Sequence, residues 1–378
     1  MKKIMLVTTV PETFRDILSG QPKHISGDFI VELVSSPSKC LEAVSSSEGC
    51  QYHGVKMHRG ISLISDLVSL FKMVKLLQKT KPDILHTYTP KAGLIGMLAG
   101  YICGVPTRIH TFTGLIFPTS QGLLKKILIA MDKVICLCST NVIPEGAGVK
   151  NDLLEYNITS KPLNVIGNGN IAGVETSYFD VSSMDNLALL DYKKELNIYD
   201  GKVFCFVGRL TKEKGVEELV SAFERLSERA HLIFVGEIDK RTPLSEKTLN
   251  SIEKNSRIHR LGYLSDIRLP LAISDVFVLP SYREGFPNAL LQAGSMRLPA
   301  IVSDINGCNE VILDDVNGWV VTARSSDELF TKMNESLHSN CFEMGHQARK
   351  LVKTKFERSE YLKELMKFYF SVVNSHDD

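Results

Sequence analysis

Two strand-to-helix turns in the second half of the chain constrain its fold more than any other feature of the sequence. One turn, residues 207–215, follows the apolar run 203–207, and the other, residues 281–292, follows the apolar run 276–279. A short apolar run before a turn and a helix-like pattern predicts a buried strand of a parallel sheet. Both turns are therefore expected at the carboxyl edge of such a sheet, where open α/β sheets bind their ligands.

The first turn supplies positive charge. Arg209 and Lys214 stand between Gly208 and Gly215, immediately before an amphipathic helical pattern. A helix N-terminus presents unpaired N–H groups, and a guanidinium and an ammonium beside it add full positive charges. This combination of donors predicts a binding site for the diphosphate of a nucleotide.

The second turn places a carboxylate next to that predicted site. Glu284 ends the turn, and Pro287 suits the first helical position because its missing N–H costs nothing there. Asn288 and Gln292 are four residues apart and therefore share one helical face. Gly285 would allow a ligand to approach the backbone closely.

Composition and charge exclude several classes of protein. A net charge of +1 provides no positive field for a nucleic-acid partner. The eight cysteines include no Cys-x-x-Cys pair, so reduced thiols are expected rather than a metal site. Because no apolar stretch approaches the roughly 20 residues of a membrane span, any membrane contact would be peripheral. We expect a cytoplasmic location, which includes the inner face of the cytoplasmic membrane.

Alternation of strands and helices predicts an α/β fold of two Rossmann-like, doubly wound domains that face each other across a cleft. Loop-like composition at residues 167–173 suggests a hinge. The predicted domains are residues 1–170, with the closing helix 357–374 packing back on them, and residues 171–356. Strands are predicted at residues 4–10, 29–34, 84–86, 107–111, 134–137, 163–166, 203–207, 231–235, 258–261, 276–279, 300–303 and 319–321.

Two helical patterns in the first half combine apolar residues with lysines. In residues 64–79 the apolar side chains recur at three- and four-residue steps, which is typical of an amphipathic helix; they are Leu67, Val68, Phe71, Val74 and Leu77. Residues 121–133 mix apolar side chains with Lys125, Lys126 and Lys133. That segment could lie on an anionic membrane, and the alternative is a buried helix with a basic outer edge.

The sequence resembles the retaining glycosyltransferases of family 4, which have the two-domain GT-B fold, and among them the CapM-like subgroup of bacterial surface-polysaccharide enzymes. The two turns described above carry the most specific part of the resemblance. Supporting segments are residues 82–93, 108–114, 166–170 and 304–310. The resemblance thus extends over nearly the whole length of the chain.

The resemblance implies a role for each matching residue. Arg209 and Lys214 would bind the donor diphosphate and neutralise the leaving group, and Glu284 would contact the donor sugar near the reacting carbon. Gln292 would hold the ribose hydroxyls, and His110 would reach the sugar from the first domain. The implied catalytic residues are Glu284, His110, Arg209 and Lys214. The implied donor-binding set is Arg209, Lys214, Gly208, Glu284, Gly285, Phe286, Pro287, Asn288 and Gln292.

Acceptor-side residues follow less directly from the sequence. His86 ends a predicted strand, and Lys91 in the next turn is a candidate partner for an acceptor phosphate. Thr9 belongs to the segment that replaces the paired glycines often found after the first strand in this family.

Two departures from the family pattern concern the donor site and its helix. Gln292 stands where a second acid is usual, so ribose binding would lack charge-assisted hydrogen bonds. Arg297 stands where a glycine is usual, and it either adds a cation or faces solvent.

These features together predict transfer of a sugar, an N-acetylhexosamine or another hexose, from a nucleotide diphosphate, with UDP as the first expectation. The expected acceptor is a polyprenyl-diphosphate-linked glycan in bacterial O-antigen or capsule synthesis. The sequence contains no Asp-x-Asp pair, so no metal cofactor is expected. The alternatives are a nucleotide-sugar epimerase of similar fold and a non-catalytic nucleotide-sugar-binding subunit. A dehydrogenase is disfavoured because the first strand is not followed by Gly-x-Gly-x-x-Gly.

Overall fold

The computed structural model describes residues 1–58, 60, 62–226, 229–239 and 242–374. The chain forms two compact units, which are described separately below. Unit 1 comprises Met1–Ala172 and Ser359–Asp378, and unit 2 comprises Gly173–Arg358. Each unit is built on one six-stranded parallel sheet with helices between the strands, which confirms the prediction of two Rossmann-like, doubly wound domains.

The sheet of unit 1 has the strand order β3-β2-β1-β4-β5-β6. The order reverses between β1 and β4, which makes their carboxyl ends the topological switch point of this unit. The strands are β1 (Lys3–Val7), β2 (Ile30–Ser35), β3 (Gln51–Gly54), β4 (Ile84–Tyr88), β5 (Thr107–Phe112) and β6 (Asn141–Pro144).

The sheet of unit 2 has the strand order β12-β11-β10-β7-β8-β9, with its switch point between β7 and β10. All six strands predicted for this half of the chain are confirmed, with boundaries that differ by one residue at most. The strands are β7 (Lys202–Val207), β8 (Ala230–Val235), β9 (Ile258–Arg260), β10 (Val276–Leu279), β11 (Ala300–Ser303) and β12 (Gly318–Val321).

Fifteen α-helices occur in the described residues, and none of them is long and apolar enough to cross a bilayer. They are α1 (Glu12–Asp16), α2 (Gln21–Ile25), α3 (Lys39–Glu48), α4 (Leu63–Thr80), α5 (Pro90–Ile102), α6 (Gly122–Cys138), α7 (Ala147–Glu155), α8 (Asn186–Glu195), α9 (Val216–Glu224), α10 (Glu246–Lys254), α11 (Arg268–Ala272), α12 (Asn288–Ser295), α13 (Ser326–His338), α14 (Cys341–Lys355) and α15 (Arg358–Asn374).

The last helix, α15, completes a core of unit 1. Its buried residues Tyr361, Leu365 and Tyr369 belong to the same hydrophobic cluster as Ile4 in β1 and Phe14 in α1. The buried side of α15 therefore covers one face of the first sheet. This face would expose apolar side chains if the end of the chain were missing.

Two predicted strands of unit 1 were wrong, and two real strands were missed. Residues 134–137 lie inside α6, because a four-residue apolar run cannot be distinguished from a buried stretch of helix by its pattern alone. Residues 163–166 form no strand; only Leu163 makes an isolated bridge to Val142. The strands that the sequence did not predict are β3 and β6. The side chains of β3 are mostly exposed and therefore give no apolar pattern.

The apolar pattern that predicts α4 marks its buried face only at its C-terminal end, where Leu77 is buried. Ser69, Met73 and Leu77 face the core, whereas Leu67, Val68 and Phe71 are exposed.

In unit 2, Pro287 is the N-cap of α12 rather than its first helical residue, because its ψ of 106° is extended. A proline at that position still leaves Asn288 and Gln292 on the same helix.

Arg297 follows the end of α12 with a φ of 65°, a left-handed conformation that favours glycine. Its Nη2 donates to the Ser182 Oγ at 2.9 Å. We predict that Arg297→Gly is more stable than Arg297→Ala by about 1 kcal/mol, because both lose this hydrogen bond and only glycine relieves the backbone strain. Urea unfolding of the two variants measures the difference. Equal midpoints would show that the backbone at this position is not strained.

Candidate active site

The two turns singled out in the sequence meet at the switch point of unit 2. Strands β7 and β10 are hydrogen-bonded neighbours, and the turns that follow them leave the same edge of the sheet. Lys214 Nζ lies 2.5 Å from Glu284 Oε1, with side chains 23% and 10% exposed. A partly buried cation and carboxylate therefore stand side by side where an open α/β sheet forms its ligand crevice.

Backbone contacts hold the two turns against each other. Gly215 has a φ of 70°, and a Cβ at this position would overlap the carbonyl oxygen of Pro280. The Tyr282 N–H donates to the Glu213 carbonyl oxygen at 2.8 Å. Because only glycine satisfies both the left-handed conformation and the close approach, the turn that carries Lys214 has a fixed position relative to the turn that carries Glu284.

Arg209 is the more accessible of the two predicted phosphate-binding cations. Its side chain is 56% exposed, and its Nη1 donates to Asp239 Oδ2 at 2.7 Å. Asp239 is only 8% exposed and follows β8, the neighbour of β7. A guanidinium carries five N–H donors, so this contact orients Arg209 and leaves donors for an anion.

Sequence reasoning missed Asp239. The available signal was its place just after the predicted strand 231–235, at the edge that carries the two turns.

The segment 304–310 contributes a third turn next to the ion pair. Gly307 has a φ of 77°, and a Cβ there would overlap the carbonyl oxygen of Gly285. Burial raises the pKa of the Cys308 thiol well above its usual range, and the charge of Glu284 raises it further, whereas Lys214 partly offsets the shift. Cys308 is therefore a neutral, buried neighbour of the pair and not a nucleophile.

The remaining predicted donor-binding residues lie on or beside α12. Phe286 is buried against Phe356, with ring centroids 5.3 Å apart. Gly208, Gly285, Asn288 and Gln292 are half-buried, and Pro287 is buried. Within the described part of the chain, the Gln292 side-chain amide makes no hydrogen bond, so it is available to a ligand.

Unit 1 has hydroxyl groups at its own switch point. Thr9, after β1, and Thr89, after β4, have their Oγ1 atoms 2.7 Å apart. The Ala92 N–H in the first turn of α5 donates to Thr9 Oγ1 at 3.2 Å. Thr89 has a φ of 72°, which is strained for a β-branched residue and typical of functional sites. Thr89 was not predicted from the sequence; the available signal was its place immediately before Pro90.

Lys91 is paired inside unit 1. Its side chain is 5% exposed, and its Nζ lies 2.7 Å from Asp66 Oδ2 in α4. Lys91 Nζ has further N–H donors, so an acceptor phosphate would have to approach it beside Asp66.

The two histidines predicted as functional are both buried in the sheet of unit 1. His86 places Nδ1 2.7 Å from the Tyr369 hydroxyl and Nε2 2.7 Å from Thr111 Oγ1, so neither ring nitrogen is left for a ligand. This geometry argues against the acceptor-side role predicted for His86. His110 places Nδ1 2.7 Å from Thr87 Oγ1, and its ring lies against Gly93, where a Cβ would overlap it. Burial lowers the pKa of His110 to about 3, so this ring is neutral at physiological pH.

Groups of three or more metal-binding side chains, of the kind that histidine, cysteine, aspartate and glutamate form, do not occur in the described ranges. The positively charged side chains at the switch point of unit 2 are Arg209 and Lys214.

Two family models match the chain. The model for glycosyl transferases group 1 matches residues 190–355, which include the whole candidate site of unit 2. The model for glycosyl transferase 4-like proteins matches residues 22–143 in unit 1.

Curated relatives cover most of the chain. CapM, a capsular polysaccharide biosynthesis glycosyltransferase of Staphylococcus aureus, is 29% identical over 97% of both chains. The UDP-Gal:alpha-D-GlcNAc-diphosphoundecaprenol alpha-1,3-galactosyltransferase of Escherichia coli is 30% identical over 73% of this chain and 71% of its own. The N,N'-diacetylbacillosaminyl-diphospho-undecaprenol alpha-1,3-N-acetylgalactosaminyltransferase of Campylobacter jejuni is 26% identical over 69% of both chains.

Solved structures have the same fold. The Anabaena protein Alr3699/HepE, crystallised with UDP and glucose, superimposes with a TM-score of 0.83, covering 98% of this chain and 100% of its own at 15% identity. At this level of identity the superposition supports the fold alone.

The buried neutral state of His110 predicts that acid destabilises unit 1. Between pH 6.5 and pH 3 the unfolded state binds more protons at His110 than the folded state does. The stability that the neutral buried ring contributes is therefore complete above the unfolded pKa and is lost as the pH falls toward about 3. From pH 7 to pH 5 the loss amounts to about 2 kcal/mol for one imidazole. Denaturant unfolding of wild type and His110→Gln should therefore show a smaller acid loss in the variant. His24→Gln, at an exposed position in the same unit, is the control; equal losses in wild type and His110→Gln would contradict the assignment.

Proposed function

Because the chain belongs to the group 1 glycosyltransferases, we propose that it transfers a sugar from a UDP-linked donor to a polyprenyl-diphosphate-linked glycan, with retention at the anomeric carbon. The observation that carries the proposal is the ion pair of Lys214 and Glu284 at the switch point of unit 2. Arg209, exposed beside it, supplies the second cation. A diphosphate bound there meets Lys214 and Arg209, and its sugar meets Glu284.

The cations act on the leaving group. As the bond between the anomeric carbon and the diphosphate oxygen breaks, negative charge grows on the diphosphate and the sugar becomes oxocarbenium-like. Lys214 and Arg209 stabilise that growing charge more than the charge of the bound donor, which lowers the barrier. Glu284 lies 2.5 Å from Lys214 and stabilises the positive charge that develops on the sugar.

Retention is explained by attack on the face from which the diphosphate leaves. The acceptor hydroxyl oxygen forms its bond to the anomeric carbon, and its proton passes to an oxygen of the departing diphosphate. Glu284 is held in its pair with Lys214 and is disposed to stabilise charge rather than to attack the sugar. In this scheme no covalent sugar–enzyme intermediate forms.

Two fixed cations make a divalent ion unnecessary in this proposal. The sequence lacks an Asp-x-Asp pair, and in this scheme Arg209 and Lys214 neutralise the diphosphate in place of a metal. We expect turnover of the wild-type enzyme to persist in the presence of a chelator.

The names of the relatives support the choice of donor and acceptor. The E. coli relative takes UDP-Gal, and both it and the C. jejuni relative act on a sugar linked to diphosphoundecaprenol. The transferred sugar is therefore proposed to be a hexose or an N-acetylhexosamine. CapM acts in capsular polysaccharide biosynthesis, which supports a surface polysaccharide, capsule or O-antigen, as the proposed product. Because the proposed acceptor is linked to a polyprenyl lipid, we place the reaction at the inner face of the cytoplasmic membrane in this proposal.

On the acceptor side we propose that the diphosphate of the acceptor binds near the N-terminus of α5. Thr9 and Thr89 offer hydroxyl groups there, and Lys91, which is paired with Asp66, offers a cation. His110 would assist from unit 1 as a neutral hydrogen-bonding group.

A transfer assay distinguishes this proposal from the alternatives. UDP-sugars are incubated with the protein alone and with a polyprenyl-diphosphate-linked glycan. Release of UDP together with a lengthened glycan supports the proposal, whereas conversion of the sugar without acceptor indicates an epimerase. Donor binding without UDP release, across a range of lipid-linked acceptors, indicates a non-catalytic subunit.

We predict that Lys214→Ala and Arg209→Ala each lower turnover by roughly 10²-fold or more, because each removes one group that stabilises the transition state. Glu284→Gln should lower turnover while the thermal unfolding transition is retained. Lys212→Ala is the matched control, since Lys212 lies two residues from Lys214 and is 64% exposed. Unchanged turnover in both the Lys214 and Arg209 variants would refute their roles.

We predict that Gln292→Glu lowers KM for the donor by roughly fivefold with little change in kcat. A carboxylate would make charge-assisted hydrogen bonds to the ribose hydroxyls, which are stronger by about 1 kcal/mol than those of an amide. Because the ribose does not change during the reaction, the gain would apply equally to ground state and transition state. A change in kcat without a change in KM would show that residue 292 acts in the chemical step and does not bind the ribose.

A further inference from the structure

Helix α4 presents a continuous apolar surface that the protein does not cover. The surface consists of Leu63, Ile64, Leu67, Val68 and Phe71, which lie on one side of the first turns of α4. Their exposed fractions are 78, 81, 66, 51 and 60%. Single exposed apolar residues are ordinary, but a cluster of five large ones on one helix marks an interaction site. We call it the α4 surface.

The α4 surface is not needed to hold the helix in place. Ser69, Met73 and Leu77 form the buried side of α4, and Met73 and Leu77 pack into a hydrophobic core of unit 1. Asp66, also turned away from the α4 surface, is paired with Lys91 of α5. The outer residues therefore remain free to contact another body.

A second apolar group lies at the same edge of the sheet. The helices α4, α5 and α6 each precede a parallel strand, so all three begin at the carboxyl edge, and α5 contacts both α4 and α6. The first turns of α6 expose Leu123, Leu124 and Ile127, which are 73, 49 and 38% accessible. Both apolar groups therefore lie near the edge that carries the acceptor-side residues.

The exposed charges on these two helices are all positive. Lys72, Lys75 and Lys79 of α4 are exposed, as are Lys126 and Lys133 of α6. Each helix has one acid, and both acids are turned inward: Asp66 is paired with Lys91, and Asp132 is buried. Local positive charge therefore adjoins the apolar groups although the whole chain has a net charge of only +1.

We propose that the α4 surface docks on a bilayer that contains anionic lipids, with the start of α6 as a second contact. An amphipathic helix of this kind places its apolar residues at the boundary of headgroups and acyl chains, and its lysines meet the lipid phosphates. A second copy of the chain is the less suitable occupant, because it would present the same positive charge and no exposed acid on these helices. The proposal is independent of the sugar-transfer site, since it uses none of the residues assigned to the reaction.

The test is flotation of the full chain with phosphatidylcholine vesicles, prepared with and without phosphatidylglycerol, in the absence of donor and acceptor. We expect binding to the anionic vesicles that weakens with salt. Val68→Gln combined with Phe71→Gln should weaken it by roughly tenfold or more, because two large apolar side chains lose their burial. Lys72→Gln combined with Lys75→Gln should remove the preference for phosphatidylglycerol.

The matched control is Leu187→Gln combined with Leu190→Gln in α8 of unit 2. These leucines are 69 and 54% exposed, so the change removes a similar apolar area outside the α4 surface, and vesicle binding should not change. Turnover on a short-chain acceptor that stays in solution should also be unchanged in the α4 variants. The turnover assay and the vesicle assay test the two proposals separately. If the wild-type protein transfers no sugar, the proposed reaction is rejected, but vesicle binding still tests the docking of the α4 surface.

Three outcomes would overturn the docking proposal. The first is wild-type protein that does not float with anionic vesicles. The second is equal flotation of wild type and both α4 variants. The third is a wild-type dimer in light scattering that becomes monomeric in the Val68 and Phe71 double variant, which would assign the α4 surface to self-association.

Discussion

The ion pair of Lys214 and Glu284 is the interaction on which the candidate active site depends. The two residues are 70 positions apart and meet only because β7 and β10 are neighbours in the second sheet. A partly buried ammonium would be costly without a partner, and a buried carboxylate even more so. Each side chain therefore holds the other at the place where the proposed reaction needs both charges. Gly215, packed against Pro280, keeps the turns close enough for the pair to form.

The two sheets place different chemistry at their switch points. In unit 2 the turns bring together full charges, whereas in unit 1 they bring together the hydroxyls of Thr9 and Thr89. Charges suit a diphosphate that gains negative charge as it leaves, and hydroxyls suit a group that is only held and oriented. The same α/β architecture therefore carries two different sets of chemical groups, because the strand order creates the position and the turn residues supply the side chains.

The sequence predicted unit 2 better than unit 1 for a physical reason. Strands of unit 2 such as β7 and β10 are buried on both sides and therefore read as short apolar runs between turns. In unit 1 the edge strand β3 is mostly exposed, and the end of α6 is as apolar as a strand. In α4 the apolar pattern correctly predicted a helix but not its buried side, since Leu67, Val68 and Phe71 face solvent.

Within the site, the sequence indicated the residues that lie in a recognisable turn and missed those that are brought in from another strand. Arg209, Lys214 and Glu284 belong to the first group, and Asp239 and Thr89 belong to the second. A single strand-to-helix turn shows which groups it carries, but the partner that orients a side chain depends on strand order. The sequence also did not show that both ring nitrogens of His86 are occupied, because a strand-end histidine looks the same in sequence whether they are free or bonded to Tyr369 and Thr111.

The return of α15 to unit 1 has a consequence for biosynthesis. Unit 2 is one continuous insertion, so a ribosome completes its residues before it makes the helix that closes the first unit. Tyr369, which is fully buried and has its hydroxyl 2.7 Å from His86 Nδ1, emerges only after the whole of unit 2. Unit 2 can therefore fold while unit 1 still lacks α15, and unit 1 completes its core only after α15 has been made.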